Sequence, residues 1–125
     1  MSPKGELAIQ TLAMPADTNS VGDIFGGWLL SQMDLAAGVL AKRVSQGRAT
    51  TIALDAMVFL KPVKIGNLVS CYVRMEKIGR TSMTIVVEVW AEDLGENKKI
   101  MVTEGTFVFV AIDNHGKPRV VPKPK

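Results

Sequence analysis

The stretch DTNSVGDIFGGWLLSQMDLA, residues 17–36, carries the features that decide the fold of this 125-residue chain. Two adjacent glycines, Gly26 and Gly27, precede an apolar run that contains a single carboxylate, Asp34. Over residues 27–45 the apolar positions recur at helical spacing, and those on one arc are Leu29, Met33, Ala36, Ala37, Leu40 and Val44. The pattern predicts one long helix with a buried face, which Gly47 is placed to end.

The rest of the chain alternates with the period of two that is typical of β-strands. One strand is predicted before the helix, at residues 7–14, and four after it, at 51–61, 68–78, 82–92 and 100–112. We expect these four long strands to form a meander. One helix with about five antiparallel strands indicates an α+β domain whose sheet curls around the helix.

The length and the net charge of the chain limit the number of domains and the kinds of protein it can be. A chain of 125 residues has room for one core, so we expect a single domain over residues 1–125 that ends in a basic, proline-containing tail at 118–125. Much of the net charge of +3 comes from this end, where a solvated tail is the usual outcome. The first ten residues lack the apolar run of a signal peptide and no stretch approaches a membrane-spanning length, so we expect a cytoplasmic protein.

Several strands are apolar on both faces, which is more than one helix can cover. In the strand predicted at residues 51–61, Ile52, Leu54 and Val58 share one face, while Met57 and Phe59 lie on the other. Edge strands of this length also need pairing or cover. We therefore expect at least a dimer.

Asp34 allows two interpretations. It can be a boundary residue that caps a loop or pairs with a surface lysine, or it can be functional, because an acid on a buried helix flank is costly without a partner or a role. The glycines before it favour function, since a helix start at Gly26 and Gly27 offers unpaired N–H groups, the positive end of the helix dipole and close access to the backbone. Fixed amides of this kind can stabilise a developing oxyanion.

The residues that the sequence lacks narrow the chemistry. The only histidine, His115, lies in the turn sequence DNHGK, and the only cysteine, Cys71, lies in an apolar strand. A Ser–His or Cys–His nucleophilic pair, a metal site and a phosphate-binding glycine motif are therefore not expected. A carboxylate without histidine suits a thioester, because a thiol with a pKa of about 8.5 leaves as thiolate with little help from an acid.

The segment at residues 12–72, which includes MPADTN, GDIFGGW and FLKPVKIG, resembles the acyl-CoA thioesterases of the YciA type in the hotdog-fold superfamily. The match continues through GRTSMTIVVEVW and VTEGTFVFVAID. The resemblance implies the hotdog fold, in which a five-stranded antiparallel sheet wraps around one long central helix. It also implies an acyl-CoA substrate, no separate cofactor, and a homo-oligomer with a dimer as the minimal active unit, often a trimer of dimers.

Carried onto this sequence, the resemblance implies that Asp34 is the catalytic carboxylate, as general base or nucleophile, and that Gly26 or Gly27 polarises the thioester carbonyl. Asn19 matches a polar position beside the water or the thioester, contributed by the other chain from Asp34. Candidates for contacts with the pantetheine arm and the CoA phosphates are Lys61, Arg80, Thr81 and Ser82. Turn residues of these types are mostly solvated, so an ordinary surface role for them stays open.

Three other functions remain as alternatives. The first is a non-catalytic acyl-CoA-binding regulator on the same fold. The second is a basic nucleic-acid module, which is disfavoured because Trp28, Tyr72 and Trp90 are not interleaved with basic residues on a strand face. The third is a hotdog dehydratase, for which His115 is badly placed. We therefore expect neither a nucleic-acid partner nor a membrane partner.

Overall fold

One helix lies against a sheet of five antiparallel strands in the computed structural model, which describes residues 2–123 apart from the side chain of Ala56. The elements in chain order are β1 (Glu6–Leu12), a 3-10 turn (Pro15–Asp17), α1 (Gly26–Ser45), β2 (Ala49–Phe59), β3 (Leu68–Ile78), β4 (Ser82–Asp93) and β5 (Lys98–Ala111). Each predicted helix and strand is present, with bounds within about two residues of those expected from the periodicity. Pro124 and Lys125 of the predicted tail lie outside the described residues.

The order of the strands differs from the predicted meander. The sheet runs β1-β3-β4-β5-β2, so only β3, β4 and β5 form a meander, and β2 pairs with β5, with Ala49 opposite Ala111 and Phe59 opposite Thr103. The prediction of a four-strand meander is therefore wrong. Placing β1 and β2 at opposite edges lets the curved sheet reach α1 from both sides, and the helix contacts all five strands.

The core is the space between α1 and the concave face of the sheet. The predicted arc of the helix is buried except for Val44, which is partly buried against the same core. Small residues allow the helix to approach the strands closely, since Ala36, Ala37 and Ala41 have no exposed surface. On β3, burial raises the pKa of the Cys71 thiol to about 12, so this thiol stays protonated at neutral pH.

The helix ends at Ser45, two residues before Gly47. Gln46 takes the left-handed conformation, with φ 57°, and Gly47 follows it. A Cβ atom at Gly47 would lie 2.7 Å from Nη2 of Arg119, so the glycine makes room for that guanidinium. Gly47 thus makes room for a tertiary contact and also takes part in the helix end, where its N–H donates to the carbonyl oxygen of Lys42 at 3.2 Å.

Arg119 ties the C-terminal segment to the end of α1. Its Nη1 donates to the carbonyl oxygen of Ser45 at 2.9 Å, its Nε to that of Ile112 at 2.8 Å, and its Nη2 to that of Arg48 at 3.1 Å. The last carbonyls of a helix lack intrahelical partners and carry partial negative charge, which a cation satisfies. Residues 118–121 therefore pack on the fold rather than extend as a solvated tail, and Val121 is 4% exposed.

We expect Arg119→Ala to lower the free energy of unfolding by about 2 kcal/mol, because three backbone carbonyls lose a charged donor. Urea unfolding followed by circular dichroism at fixed protein concentration measures this change. The matched control is Lys117→Ala, an exposed residue of the same segment, which should shift stability by less than about 0.5 kcal/mol. Equal effects of the two variants would contradict the role assigned to the guanidinium.

Candidate active site

The loop before α1 fixes the position of the first turn of the helix. The backbone N–H of Phe25 donates to the carbonyl oxygen of Asp17 at 3.1 Å, which fixes the entry into the helix. The first helical hydrogen bonds come from Trp28 and Leu29, whose N–H groups donate to Phe25. The amides of Gly26 and Gly27 precede these bonds and lie at the positive end of the helix dipole.

Asp34 lies two turns further along the helix, at the wall of a cavity of about 370 Å³. The carboxylate is partly buried, and its Oδ1 accepts a hydrogen bond of 2.5 Å from Oγ1 of Thr51 on β2. The other walls of the cavity are mainly apolar and come from α1, β2 and β5: Gly27, Leu30, Ser31, Leu54 and Phe107. We name this space the Asp34 cavity. Its geometry brings a fixed carboxylate and the glycine-led helix start to one cleft.

Thr51 is a site residue that the sequence analysis did not identify. It belongs to a strand of ordinary alternation, and no local motif distinguishes it from Thr50. The contact with Asp34 exists because β2 pairs with the far edge of β5, where Thr51 lies opposite Phe109, and thereby runs alongside the helix. The role of Thr51 therefore depends on a long-range strand pairing, and the residues next to it in the sequence do not indicate it.

Asn19 and Lys61 line a second cavity of about 430 Å³, on the Gly26 side of the helix start. The side-chain oxygen of Asn19 accepts hydrogen bonds from the backbone N–H groups of Val21 at 3.0 Å and Asp23 at 3.1 Å. These bonds fix the orientation of the amide and leave its Nδ2 group as the donor. We name this space the Asn19 cavity; its apolar walls include Phe59, whose ring covers Gly26.

Within one chain, the predicted site residues fall into three places. Gly27 lies with Asp34, and Gly26 lies with Asn19 and Lys61. The turn that carries Arg80, Thr81 and Ser82 is at the other end of the helix, beside the last residues of β5, with Ser82 opposite Val110. The turn is fixed by backbone bonds, from Val121 to Arg80 at 2.8 Å and from Ala111 to Thr81 at 2.9 Å. The chain alone does not join these three residues to either cavity.

The edge strand β2 presents an apolar surface beside both cavities. Ile52 is 58% exposed, Val58 54% and Phe59 54%, and on the adjacent helix Leu35 is 58% exposed. Single exposed apolar residues are common, but a contiguous group on an unpaired edge marks an interaction surface.

The part of the chain that the structure describes carries neither a metal-binding cluster nor a membrane-spanning helix. Among residues 2–123, no group of three or more His, Cys, Asp or Glu side chains is placed to hold a metal ion. Over the same residues, no helix is both long enough and apolar enough to cross a bilayer. His115 is exposed in its turn, where its backbone N–H donates to Oδ1 of Asp113 at 2.8 Å.

Comparison with known proteins agrees with this architecture. Residues 21–98 match the model of a family described as the thioesterase superfamily. The acyl-CoA thioester hydrolase YciA of Salmonella typhimurium is 50% identical over 126 aligned positions, which cover 97% of this chain and 93% of the relative.

Solved structures show the same similarity. A hexameric thioesterase from Yersinia pestis superposes with a TM-score of 0.94 at 50% identity, over 98% of this chain and 100% of the other. A hexameric hotdog-fold thioesterase of Campylobacter jejuni superposes with a TM-score of 0.90 at 40% identity, over 94% of this chain and 91% of the other.

Proposed function

Because the chain belongs to the thioesterase superfamily, as one of its acyl-CoA thioester hydrolases of the YciA type, we propose that Asp34 and the amides of Gly26 and Gly27 carry out the hydrolysis of acyl-CoA to a free acid and CoA. The observation that carries this proposal is the cavity shared by Asp34 and Gly27. A carboxylate and a helix start in one cleft supply the two groups that acyl transfer needs, a base or nucleophile and an oxyanion site.

The thioester carbonyl oxygen lies against the helix start, where fixed N–H groups stabilise the negative charge that develops during attack. Asp34 either removes a proton from the attacking water or attacks the carbonyl carbon itself. Both roles use the Oδ2 atom, since Oδ1 is occupied by the Thr51 hydroxyl. Thr51 is thus a positioning residue that holds the carboxylate in one rotamer.

The two cavities divide the substrate between them. The Asp34 cavity is walled by Leu30, Leu54 and Phe107 and suits the acyl chain. The Asn19 cavity has polar groups at its walls and the exposed amine of Lys61, which suit the amides and phosphates of the CoA arm. Asn19 donates through Nδ2 to the attacking water or to the thioester. CoA leaves as its thiolate, so no histidine acid is needed.

A complete site requires a second chain. Asn19 and Asp34 line different cavities of one chain, and we propose that the Asn19 of one subunit faces the Asp34 of its partner across the β2 edge. The exposed apolar residues of β2 support a dimer as the minimal active unit. The hexameric relatives support a trimer of dimers as the full assembly.

We expect Asp34→Asn to lower kcat for acyl-CoA hydrolysis by about a thousandfold, because the amide neither accepts a proton nor attacks the carbonyl. Release of CoA, followed with a thiol-reactive dye, measures the change. Asp93→Asn is the control, since Asp93 is the exposed last residue of β4, its side-chain oxygen accepts a hydrogen bond from the N–H of Gly95, and an asparagine keeps that bond. Wild-type kcat in Asp34→Asn would refute the role of this carboxylate. Tight acyl-CoA binding without turnover in the unmodified protein would instead favour a non-catalytic regulator.

Mixing two inactive variants tests the shared site. Asn19→Ala and Asp34→Asn homodimers each lack one group at both sites, whereas a mixed dimer has one site with both groups intact. Co-refolding the two variants in equal amounts should restore about a quarter of wild-type activity, as expected for a two-fold dimer. Mixing without refolding is the control. If co-refolded protein stays as inactive as its parents, both groups come from one chain.

We expect Thr51→Val to lower kcat by about tenfold to a hundredfold with little change in KM, because the carboxylate loses a charged hydrogen bond without losing side-chain volume. Thr51→Ser keeps the hydroxyl and should stay within about threefold of wild type on the same physical ground. Steady-state kinetics on one acyl-CoA compares the two variants. A rise in KM with kcat unchanged in Thr51→Val would mean that Thr51 binds substrate rather than orienting Asp34.

A further inference from the structure

We infer that Gly105 sets the longest acyl chain that the Asp34 cavity accepts, because its missing side chain makes the room that Met33 and Met57 occupy behind the cavity wall. The inference rests on the proposed function, because it takes the Asp34 cavity as the acyl site. Gly105 is buried near the middle of β5, on its concave face, opposite Val87 of β4. A glycine inside a strand weakens it and has no side chain to pack, so such a position points to a close approach.

A β-bulge in β2 faces this glycine. Asp55 pairs with Thr106 and Val58 pairs with Glu104, so residues 56 and 57 of β2 both lie opposite the single residue Gly105. A bulge changes the direction of a side chain, and bulges are over-represented next to active sites. Here the bulge turns Met57 toward the core, where its side chain is partly buried.

Three flexible side chains converge on the place that a side chain at position 105 would fill. A Cβ atom there would lie 3.1 Å from Cε of Met33, 3.6 Å from Cδ1 of Leu54 and 3.6 Å from Cγ of Met57. Met33 is the residue before Asp34 on the helix, and Leu54 forms a wall of the Asp34 cavity. The glycine therefore lies directly behind that wall.

The residues behind the wall of the Asp34 cavity can change conformation, because two of them are methionines. Methionine is unbranched, has three rotatable bonds and adapts to irregular spaces, unlike the stiff β-branched residues that fill most of this sheet. Because these side chains already pack against Gly105, a methyl group at position 105 would press Met33 and Leu54 toward the Asp34 cavity and leave less depth for an acyl chain.

We expect Gly105→Ala to reduce the ratio of kcat/KM for dodecanoyl-CoA to that for butyryl-CoA. Each methylene excluded from the cavity costs about fourfold in that ratio, from the free energy of burying one CH₂ group. The added methyl needs Cε of Met33 to move by only a few tenths of an ångström, so the fold can accommodate it. Kinetics across butyryl-, octanoyl- and dodecanoyl-CoA measures the ratio.

Gly38→Ala is the matched control. Gly38 is also buried, but it lines a separate cavity on the other side of Asp34, and a Cβ there would make an ordinary contact of 3.7 Å with the ring of Phe109. An added methyl at Gly38 should affect all three substrates to the same degree. An unchanged ratio in Gly105→Ala, or an equal shift in the two variants, would overturn the inference.

Met57, on β2, contacts the same place as a side chain at position 105 would. Variants of Met57 therefore test the inference if Gly105→Ala fails to fold. Met57→Phe fills the space and should lower the ratio, whereas Met57→Ala enlarges it and should raise the ratio. Ratios that do not move in opposite directions would count against the inference.

Dissociation constants for the same three acyl-CoAs, measured by calorimetry in the Asp34→Asn background, separate this inference from the proposed function. If the unmodified protein binds acyl-CoA without turnover, the hydrolytic role of Asp34 is refuted, yet the affinities still show whether position 105 limits chain length. A protein that hydrolyses all three substrates with ratios insensitive to positions 57 and 105 refutes only the inference.

Discussion

The structure depends on the fit between one twenty-residue helix and the sheet that curves around it. Alanines and a glycine on the buried face of α1 let the strands approach the helix axis, and the helix packs against all five strands. That constraint fixes the spacing of the groups to which we assign the chemistry. Gly27 and Asp34 are seven residues apart on a rigid rod, which separates them by about 10 Å along the axis and places them on one side of it.

The same constraint explains why the helix start can serve as an oxyanion site. Backbone amides stabilise developing charge only if they do not have to reorganise, and these amides are held by the loop bond from Phe25 to Asp17 and by the packed helix behind them. The carboxylate is held in the same way, from the opposite side, by Thr51. In the proposed mechanism a carboxylate and two fixed amides suffice, because the thiol of a thioester leaves without an acid, so no histidine is required.

Most of the fold followed from periodicity and resemblance because these features are local or shared over the whole chain. The helix, the five strands and the lone acid behind two glycines were predicted, and the hotdog architecture is confirmed by the strand order and by the relatives. The position of β2 was not predicted from the pattern, since alternation gives the faces of a strand but not its neighbour. Pairing β2 with β5 requires closing a loop across two intervening strands, β3 and β4, and no residue within β2 specifies that pairing.

The sequence by itself determined where the helix begins, which of its faces is buried, and that a carboxylate stands two turns from two glycines, because these are consequences of a 3.6-residue period and of side-chain chemistry. Only the tertiary structure decided that Thr51 holds Asp34, that Arg119 packs against Gly47, and that a bulge turns Met57 onto Gly105. Each of these contacts joins residues that are distant in the chain. Their partners are chosen by how the sheet closes around the helix, and that closure is a property of the packed molecule and not of any segment.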